Sequence, residues 1–323
     1  MNTPNENLEQ VLTKWESTLE AYGTPGNFAE KSTLTVLLNP RNHEELSLHI
    51  TCAEGYARRG ELMEKQKEET AKRVGQPARW PNDGSLDCFL CDNVGQAQVQ
   101  GDNLLLPWDR YSEGVLLPNK YPAVRGHMLL VKKEHDLTPD KINTIVTEAY
   151  LETMVDFAAT YGLSSIRNHA KAGMSIPHHE HYHLYPRLQD TASGEMVLPW
   201  GFITSALADT AYGKDVKSLA QSRFDTLAFT GVSAVQTVLK VTKNLEEDQQ
   251  VFKIAHREDA FFILPHFSGP GVVPDKRGQY QGTESQSYSI LIVPGQPVSF
   301  EDYIKDAGGY HPLKGTFGWD KYF

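Results

Sequence analysis

The histidines of this chain are concentrated in one stretch. Seven of the twelve lie between His127 and His183, and His179, His181 and His183 occupy alternate positions. Successive side chains of a β-strand point to opposite faces, so an extended backbone would bring these three imidazoles to one face. The run 177–186 begins and ends with proline, which resists a helix and biases the preceding residue toward extended conformations. We therefore predict a strand with three imidazoles facing one pocket.

Two kinds of chemistry suit such a face. Neutral imidazole is a common ligand for zinc and related metals. An imidazole nitrogen can also attack an electrophilic centre while neighbouring groups set its tautomer and stabilise the developing charge. A solvated histidine patch without function is the simplest alternative. The residues around the run decide between these interpretations.

The run also contains a family signature. His-x-His-x-His followed by Leu-Tyr-Pro-Arg, over residues 179–187, resembles the signature of the histidine-triad (HIT) superfamily. The upstream segment 168–175 resembles the approach to that strand in the triad hydrolases and in galactose-1-phosphate uridylyltransferase. The resemblance implies an α+β fold with a HIT-like antiparallel sheet and packed helices. A degenerate duplication of the uridylyltransferase type is compatible with the second half of the chain.

The position of the first triad histidine has two solutions. Counting forward from Ser175, the family pattern places it at His178. Counting back from the Pro-Arg pair at 186–187 places it at His179. Only the second frame gives three alternating histidines, and it implies one inserted residue ahead of the triad.

The resemblance assigns roles to these side chains. His181 would attack phosphorus and form a covalent nucleotidyl-histidine, with His183 stabilising charge and His179 orienting the nucleophile if it does not bind zinc. An Asn-x-x-Pro turn followed by Gly-His and an apolar strand resembles the family segment that lines the nucleotide site. It makes His127 a fourth histidine of the catalytic pocket and Asn119 a substrate contact. The other candidate substrate contacts are Asn168, Lys171, Ser175 and Arg187.

A Cys-x-x-Cys pair precedes these segments. Cys88 and Cys91 have the spacing of two zinc ligands, which is half of a tetrahedral site. Resemblance to the zinc-containing triad proteins supplies His135 and His179 as the other two, with His178 as the competitor for the last position. Four protein ligands would make the zinc structural. The alternative is a redox dithiol.

The predicted activity is that of a nucleotidyl hydrolase acting on a nucleoside phosphate ester or anhydride. In the resembling families, histidine at the third triad position, here His183, accompanies hydrolysis, whereas uridylyltransferases and dinucleotide phosphorylases carry glutamine. The main alternative is a nucleotidyltransferase or phosphorylase of the uridylyltransferase type, which the chain length and the segment 87–91 resemble. A non-catalytic zinc-containing nucleotide-binding module and a metalloenzyme whose triad holds a catalytic ion are further alternatives.

Composition limits the partners and the location. A formal net charge of −10 and a pI near 5.6 argue against non-specific nucleic-acid binding. No stretch is apolar enough to span a membrane, and the first residues do not resemble a secretory signal. Three cysteines cannot form a disulfide framework. We expect a cytoplasmic protein with a nucleotide substrate, and resemblance to dimeric families suggests a homodimer.

Apolar periodicity predicts the elements around the site. Residues 6–22 form an amphipathic helix, and residues 137–162 form a longer one that Thr138 caps and Gly162 ends. Residues 218–241 have roughly helical spacing, as one helix or as two that break near Gly231. The predicted units are an N-terminal helix and strands (1–80), a HIT-like catalytic module (81–200) and a second, degenerate HIT-like half (201–323).

Overall fold

A computed structural model describes residues 4–21, 33–38, 45–51, 114–119, 126–132, 146–169, 180–186, 188–189, 196–197, 207–219, 225–266, 290–292 and 314–323. Its helices are α1 (Pro4–Ala21), α2 (Glu148–Tyr161), α3 (Ala234–Glu247) and a short 3-10 helix, Trp319–Tyr322. Its strands are β1 (Thr33–Leu38), β2 (Glu45–Thr51), β3 (Gly114–Pro118), β4 (Met128–Lys132), β5 (Ser164–Arg167), β6 (His181–Tyr185), β7 (Leu188–Gln189), β8 (Met196–Val197), β9 (Leu207–Thr210), β10 (Gly213–Leu219), β11 (Leu227–Phe229), β12 (Val251–Arg257), β13 (Ala260–His266) and β14 (Ile290–Ile292).

A nine-stranded antiparallel sheet dominates the described residues. Its strand order is β3-β4-β6-β5-β12-β13-β11-β10-β9, and two smaller sheets contain β1-β2-β14 and β7-β8. Helices pack on the large sheet through a shared apolar core. The predicted fold class, α+β with a large antiparallel sheet and packed helices, is confirmed.

The large sheet contains one topology twice. Strands β3 and β4, helix α2 and strands β5 and β6 form a first unit with the order β3-β4-β6-β5. Strands β10 and β11, helix α3 and strands β12 and β13 form a second unit with the order β10-β11-β13-β12. The two units meet where β5 pairs with β12. The sheet therefore continues across the predicted boundary at residue 200, and the division into domains stays a prediction.

The pairing register defines the two faces of this sheet. Ile166 pairs with both His183 and Ala255, and Ala255 pairs with Phe262, so these four residues form one row on what we call the histidine face. The opposite face, which we call the helix face, contributes to the apolar core. Its core strand residues are Leu116, Met128, Leu130, Tyr182, Leu184, Val216, Leu227, Phe229, Phe252, Ile254, Phe261 and Ile263.

Helix α2 is shorter than the sequence predicts. It begins at Glu148, and the hydroxyl of Thr147 accepts a hydrogen bond from the Tyr150 amide. The single helix predicted over 137–162 is therefore wrong, because residues 146 and 147 are not helical, and the predicted cap at Thr138 lies outside the described residues. A hydroxyl can cap a helix only where the preceding backbone is extended, and Thr147 has that conformation. The predicted end at Gly162 is confirmed by its left-handed φ of 64°.

The predicted helix over 218–241 is also wrong in its first part. Strand β10 ends at Leu219, and Leu227–Phe229 forms β11, while helix α3 begins only after a turn at Gly231, whose φ is 77°. The three residues of β11 are all buried. A short apolar run between other strands cannot be distinguished from a buried helical turn by periodicity alone.

The N-terminal helix is confirmed as an amphipathic packing element. Val11, Leu12 and Trp15 are buried, whereas the residues between them are exposed. Among the described residues, no helix combines the length and the apolar character that crossing a membrane requires.

Candidate active site

Strand β6 presents two of the predicted triad histidines on one face. His183 pairs with Leu129 on one side and with Ile166 on the other, and His181 pairs with Val131. Their rings meet edge to face with centroids 5.3 Å apart. Tyr182, between them, points to the helix face and stacks on Tyr150 of α2 with centroids 4.4 Å apart. The alternation predicted from the sequence therefore holds for these positions.

A third histidine joins this pair from the neighbouring strand. His127 precedes β4 by one residue, and its Nε2 lies 2.9 Å from Nδ1 of His183. The side-chain nitrogen of Asn119 lies 3.2 Å from the same Nε2. The first described unit thus assembles Asn119, His127, His183 and His181 on one face of the sheet.

The backbone of His127 is held in place independently of its side chain. Its carbonyl oxygen accepts hydrogen bonds from the indole of Trp15 in α1 and from the amide of Asn119, each at 3.0 Å. Gly126 precedes it with φ of 77°, and a Cβ there would lie 2.5 Å from Leu12. Only glycine suits both this conformation and this close approach. Helix α1 therefore helps to position the site.

The ring of Tyr185 packs beside His127 and His183 on the histidine face. Tyr185 is fully buried and stacks on His127 with centroids 4.4 Å apart. It also lies parallel to His183 at 6.3 Å. The imidazoles are therefore packed on one side by an aromatic surface, which restricts their ring orientations.

Two polar residues, Asn168 and Lys253, lie in one cross-strand row with His181 on the histidine face. Because Ile166 pairs with His183 and Ala255, the residues two positions away, Asn168 and Lys253, lie on the same face beside His181. Both are buried. Neither polar side-chain atom of Asn168 has a hydrogen-bond partner among the residues that the structure describes. A buried amide of this kind is suited to a ligand contact.

One histidine of the second unit, His256, lies in the core. His256 of β12 pairs with Ser165 and contacts the ring of Phe261, with centroids 4.4 Å apart, on the helix face. Burial lowers its pKa to about 3. This imidazole is therefore neutral at ordinary pH and belongs to the packing of the second unit.

Five of the predicted site residues lie within the described part of the chain, namely His181, His183, His127, Asn119 and Asn168. The others, Lys171, Ser175, His179, Arg187, Cys88, Cys91 and His135, lie outside it, as does His178. The proposed zinc site consists wholly of residues in this second group. Their roles stay predictions.

The sequence did not single out Lys253 or Tyr185 as site residues. Lys253 belongs to an apolar strand 72 positions after His181, and only the pairing of β5 with β12 brings the two onto one face. Tyr185 is part of the signature itself, and the predicted strand period already places it on the face of His181 and His183.

Comparisons with known proteins bear on the fold. No protein-family model and no curated protein matches the sequence. A crystal structure of yeast Ap4A phosphorylase Apa2 in complex with AMP matches with a TM-score of 0.57 and 13% identity, over 94% of this chain and 91% of that one. The same enzyme without a named ligand matches with a TM-score of 0.57 and 12% identity, over 97% and 98%. Its complex with Ap4A gives a TM-score of 0.51 and 12% identity, over 93% and 92%.

At these identities the likeness establishes the architecture, and it extends over nearly the whole of both chains. The predicted resemblance is thereby confirmed at the level of the fold. This chain has the fold of the yeast Ap4A phosphorylase Apa2 structures.

Proposed function

We propose that this protein is a nucleotidyltransferase or phosphorylase in which His181 carries the nucleotidyl group as a covalent intermediate. The substrate would be a nucleoside phosphate anhydride such as a dinucleoside polyphosphate or a nucleotide sugar. The observation that carries the proposal is the shared face of His181, His183, His127 and Asn119 in a sheet with the fold of a nucleotide phosphorylase.

The first step would be an in-line displacement at the α-phosphorus. A nitrogen of His181 forms a bond to phosphorus while the bond from phosphorus to the leaving oxygen breaks, and the electron pair leaves with that oxygen. In the second step an acceptor oxygen attacks phosphorus and the phosphorus–nitrogen bond breaks. The imidazole is restored, and the nucleotidyl group has moved to the acceptor.

The contact between His127 and His183 supports a charge-stabilising role for His183. At 2.9 Å one of the two rings must donate a hydrogen bond to the other. If Nε2 of His127 donates to Nδ1 of His183, the proton of His183 lies on its own Nε2, and the Asn119 amide must turn its oxygen toward Nε2 of His127. That N–H can then donate to a phosphoryl oxygen, where preorganised donors contribute most to catalysis.

Asn168 and Lys253 are the described residues best placed to hold the phosphates. Adjacent strands are about 4.8 Å apart, so Lys253 starts roughly two strand spacings from His181, within reach of a polyphosphate that crosses Asn168. A lysine supplies phosphate with a compact positive charge. Lys171 and Arg187 stay the candidates from the sequence for the same role.

The choice of acceptor separates transfer from hydrolysis. The predicted hydrolase depends on a histidine at position 183, whereas the fold of an Ap4A phosphorylase supports transfer to phosphate. We therefore prefer the transferase alternative to the hydrolase. The structural zinc at Cys88, Cys91, His135 and His179, like the homodimer and the cytoplasmic location, stays a prediction.

Trapping the intermediate tests the proposal. The full-length protein is incubated with Ap4A, ATP or UDP-glucose labelled at the α-phosphate, and a protein-bound label that survives base and is released by acid is measured. We expect such a label on the wild type and none on His181→Ala. Adding inorganic phosphate or galactose 1-phosphate should discharge the label faster than water does.

A matched histidine variant controls for loss of structure. His256→Asn changes a buried histidine of the same sheet on the opposite face, and it should keep the label. Equal labelling of wild type and His181→Ala would contradict the proposal. Discharge at one rate with and without added acceptors would restore the hydrolase interpretation.

A further inference from the structure

Behind His181, on the helix face, lies a buried ion pair that the proposed chemistry does not use. Glu180 is the residue immediately before His181, and Arg167 is the last residue of β5. Nε of Arg167 lies 2.7 Å from Oε1 of Glu180, and Nη2 lies 3.4 Å from Oε2. The side chains are 1% and 5% exposed, so the guanidinium and the carboxylate form a buried bidentate ion pair, which we call the fork.

This pair has a second carboxylate nearby. Glu246 of α3 accepts a hydrogen bond from the backbone amide of Val146, just ahead of α2, at 3.3 Å. Burial raises the pKa of Glu246 to about 7, and the charge of Arg167 opposes that shift. Burial alone would lower the pKa of Arg167, but Glu180 and its neighbours raise it above its ordinary range. Arg167 is therefore charged, and its charge acts on both carboxylates.

A gain in folding stability does not explain why this ion pair is buried. The cost of removing two charges from water commonly equals or exceeds their attraction, and apolar residues of similar volume often fold as well or better. The other helix-face residues of β6, Tyr182 and Leu184, are apolar and belong to the core. A charge at position 180 therefore calls for a role other than core packing.

The ion pair lies where the pairing of β6 with β5 ends. Within the described residues, the pairs between these strands run from Ser164 with Tyr185 to Ile166 with His183, and stop short of His181. Beyond the last of these pairs, the Arg167–Glu180 ion pair connects the end of β5 to the residue that precedes β6. It also fixes register, since a slip by one residue would turn Glu180 to the histidine face and His181 into the core.

We propose that the Arg167–Glu180 ion pair is a positioning element that holds the imidazole of His181 in line with the phosphorus it attacks. The inference rests on the proposed function of His181. A displacement of about 1 Å from the productive geometry can cost on the order of 100-fold in rate. Loss of the fork should therefore slow the formation of the nucleotidyl-histidine far more than it weakens nucleotide binding.

The decisive variant removes the whole pair. Removing one partner strands a buried charge and can unfold the protein, whereas Arg167→Met/Glu180→Leu replaces both with apolar side chains of similar volume. We expect this double variant to keep its thermal midpoint within a few degrees of the wild type and its Kd for AMP within about threefold. Single-turnover labelling by ATP should slow by about 10-fold to 100-fold.

Two further variants keep the test sharp. Arg167→Lys retains the charge without the fork, and we expect it to fold and to label at a rate between those of the wild type and the double variant. Lys217→Met/Asp209→Asn removes an exposed cross-strand ion pair from β10 and β9 of the same sheet, and its labelling rate should not change.

The NMR resonances of the histidine rings report the position of His181 without requiring turnover. In the double variant the imidazole resonances of His181 should move or broaden, while those of His256 should not. Labelling at the wild-type rate by the double variant or by Arg167→Lys, or an unmoved His181 resonance, would overturn the positioning role. Failure of the wild type to form any label would instead refute the proposed function, so the two failures are distinguishable.

Discussion

The two units of the large sheet share a topology but differ on the face where the chemistry is proposed. In the first unit, β6 carries His181, His183 and Tyr185 on the histidine face. In the second unit, β13 occupies the same place in the strand order and carries Ala260, Phe262, Leu264 and His266 on that face. The same fold is thus built around either kind of surface. The architecture supplies a platform, and a few side chains on one strand determine whether it can perform catalysis.

The largest effect is expected from a substitution that makes the first unit resemble the second at the nucleophile position. His181→Phe gives the first unit an aromatic residue of the kind that the second carries at Phe262. Since phenylalanine cannot attack phosphorus, transfer from Ap4A or ATP to phosphate should fall by at least about 10³-fold. The measurement is the initial rate at saturating substrate, with Kd for AMP measured in parallel.

The reciprocal change serves as the control. Phe262→His puts an imidazole on the same face of the second unit, where it should create no second labelling site. A second labelled histidine in that variant would show that the second unit retains a functional phosphate site.

A second prediction tests whether the second unit contributes to the site at all. Lys253→Met should weaken binding of ATP by about 10-fold to 100-fold and that of AMP by less, because a longer phosphate chain depends more on this cation. Isothermal titration of both nucleotides gives the ratio. Lys217→Met is the matched control, because Lys217 belongs to the same sheet but lies on β10 beyond β13 and β11. Equal losses for AMP and ATP would indicate a structural role for Lys253.

A third prediction concerns the stability that Gly126, the residue before His127, gives to the first unit. Gly126→Ala combines a left-handed φ with a Cβ 2.5 Å from Leu12 and 2.9 Å from Pro186. It should lower the free energy of unfolding by roughly 2–4 kcal/mol, measured in urea. Gly162→Ala has a similar φ but no atom within 4 Å of the new Cβ, and it should cost only about 1–2 kcal/mol. Equal costs would mean that the contact with α1 is readily relieved.

The last prediction concerns the pH dependence that a core histidine of the second unit gives to stability. Burial holds the pKa of His256 at about 3, below the ordinary value of 6.5. The unfolded chain therefore binds a proton that the folded chain does not, and stability falls as the pH drops from about 6.5 toward 3, by about 1.4 kcal/mol per pH unit at most. His256→Leu should flatten this slope in unfolding curves recorded across that range.

Glu246 shifts stability in the opposite direction. Its pKa is raised from 4.5 to about 7, so the folded state binds the extra proton and stability falls as the pH rises through that window. The slope due to His256 should consequently be clearest in a Glu246→Gln background. A His256→Leu profile parallel to that of its parent would contradict a neutral core histidine.

The sequence predicts the active-site strand better than the elements around it. Alternation at His181 and His183 follows from the local strand period, whereas His127 is predicted from the family resemblance of the Gly-His segment; the structure brings all three together. The cap of α2 depends on which hydroxyl meets an extended backbone, which apolar periodicity does not report, so the sequence does not predict Thr147 as the cap. Strand β11 was taken for helix because three buried apolar residues have no diagnostic period.

Other features depend on contacts between distant parts of the chain. Lys253 lies beside His181 and Asn168 only because β12 pairs with β5. Arg167 meets Glu180 only at the end of the pairing between β5 and β6. The repeated strand order likewise has no counterpart in a repeated motif, since the second unit lacks the histidines that identify the first. Long-range pairing of this kind is set by the whole fold and cannot be deduced from spacing along the sequence.

The central claim is that His181 faces the α-phosphorus of a bound nucleotide. A crystal structure of the protein with AMP tests it most directly. We expect a nitrogen of His181 about 3–3.5 Å from phosphorus, opposite a terminal oxygen that stands where the leaving oxygen of a longer substrate would be, with His183 donating to another phosphoryl oxygen. AMP bound elsewhere, or bound with the His181 ring turned away from its phosphorus, would show that His181 is not the nucleophile.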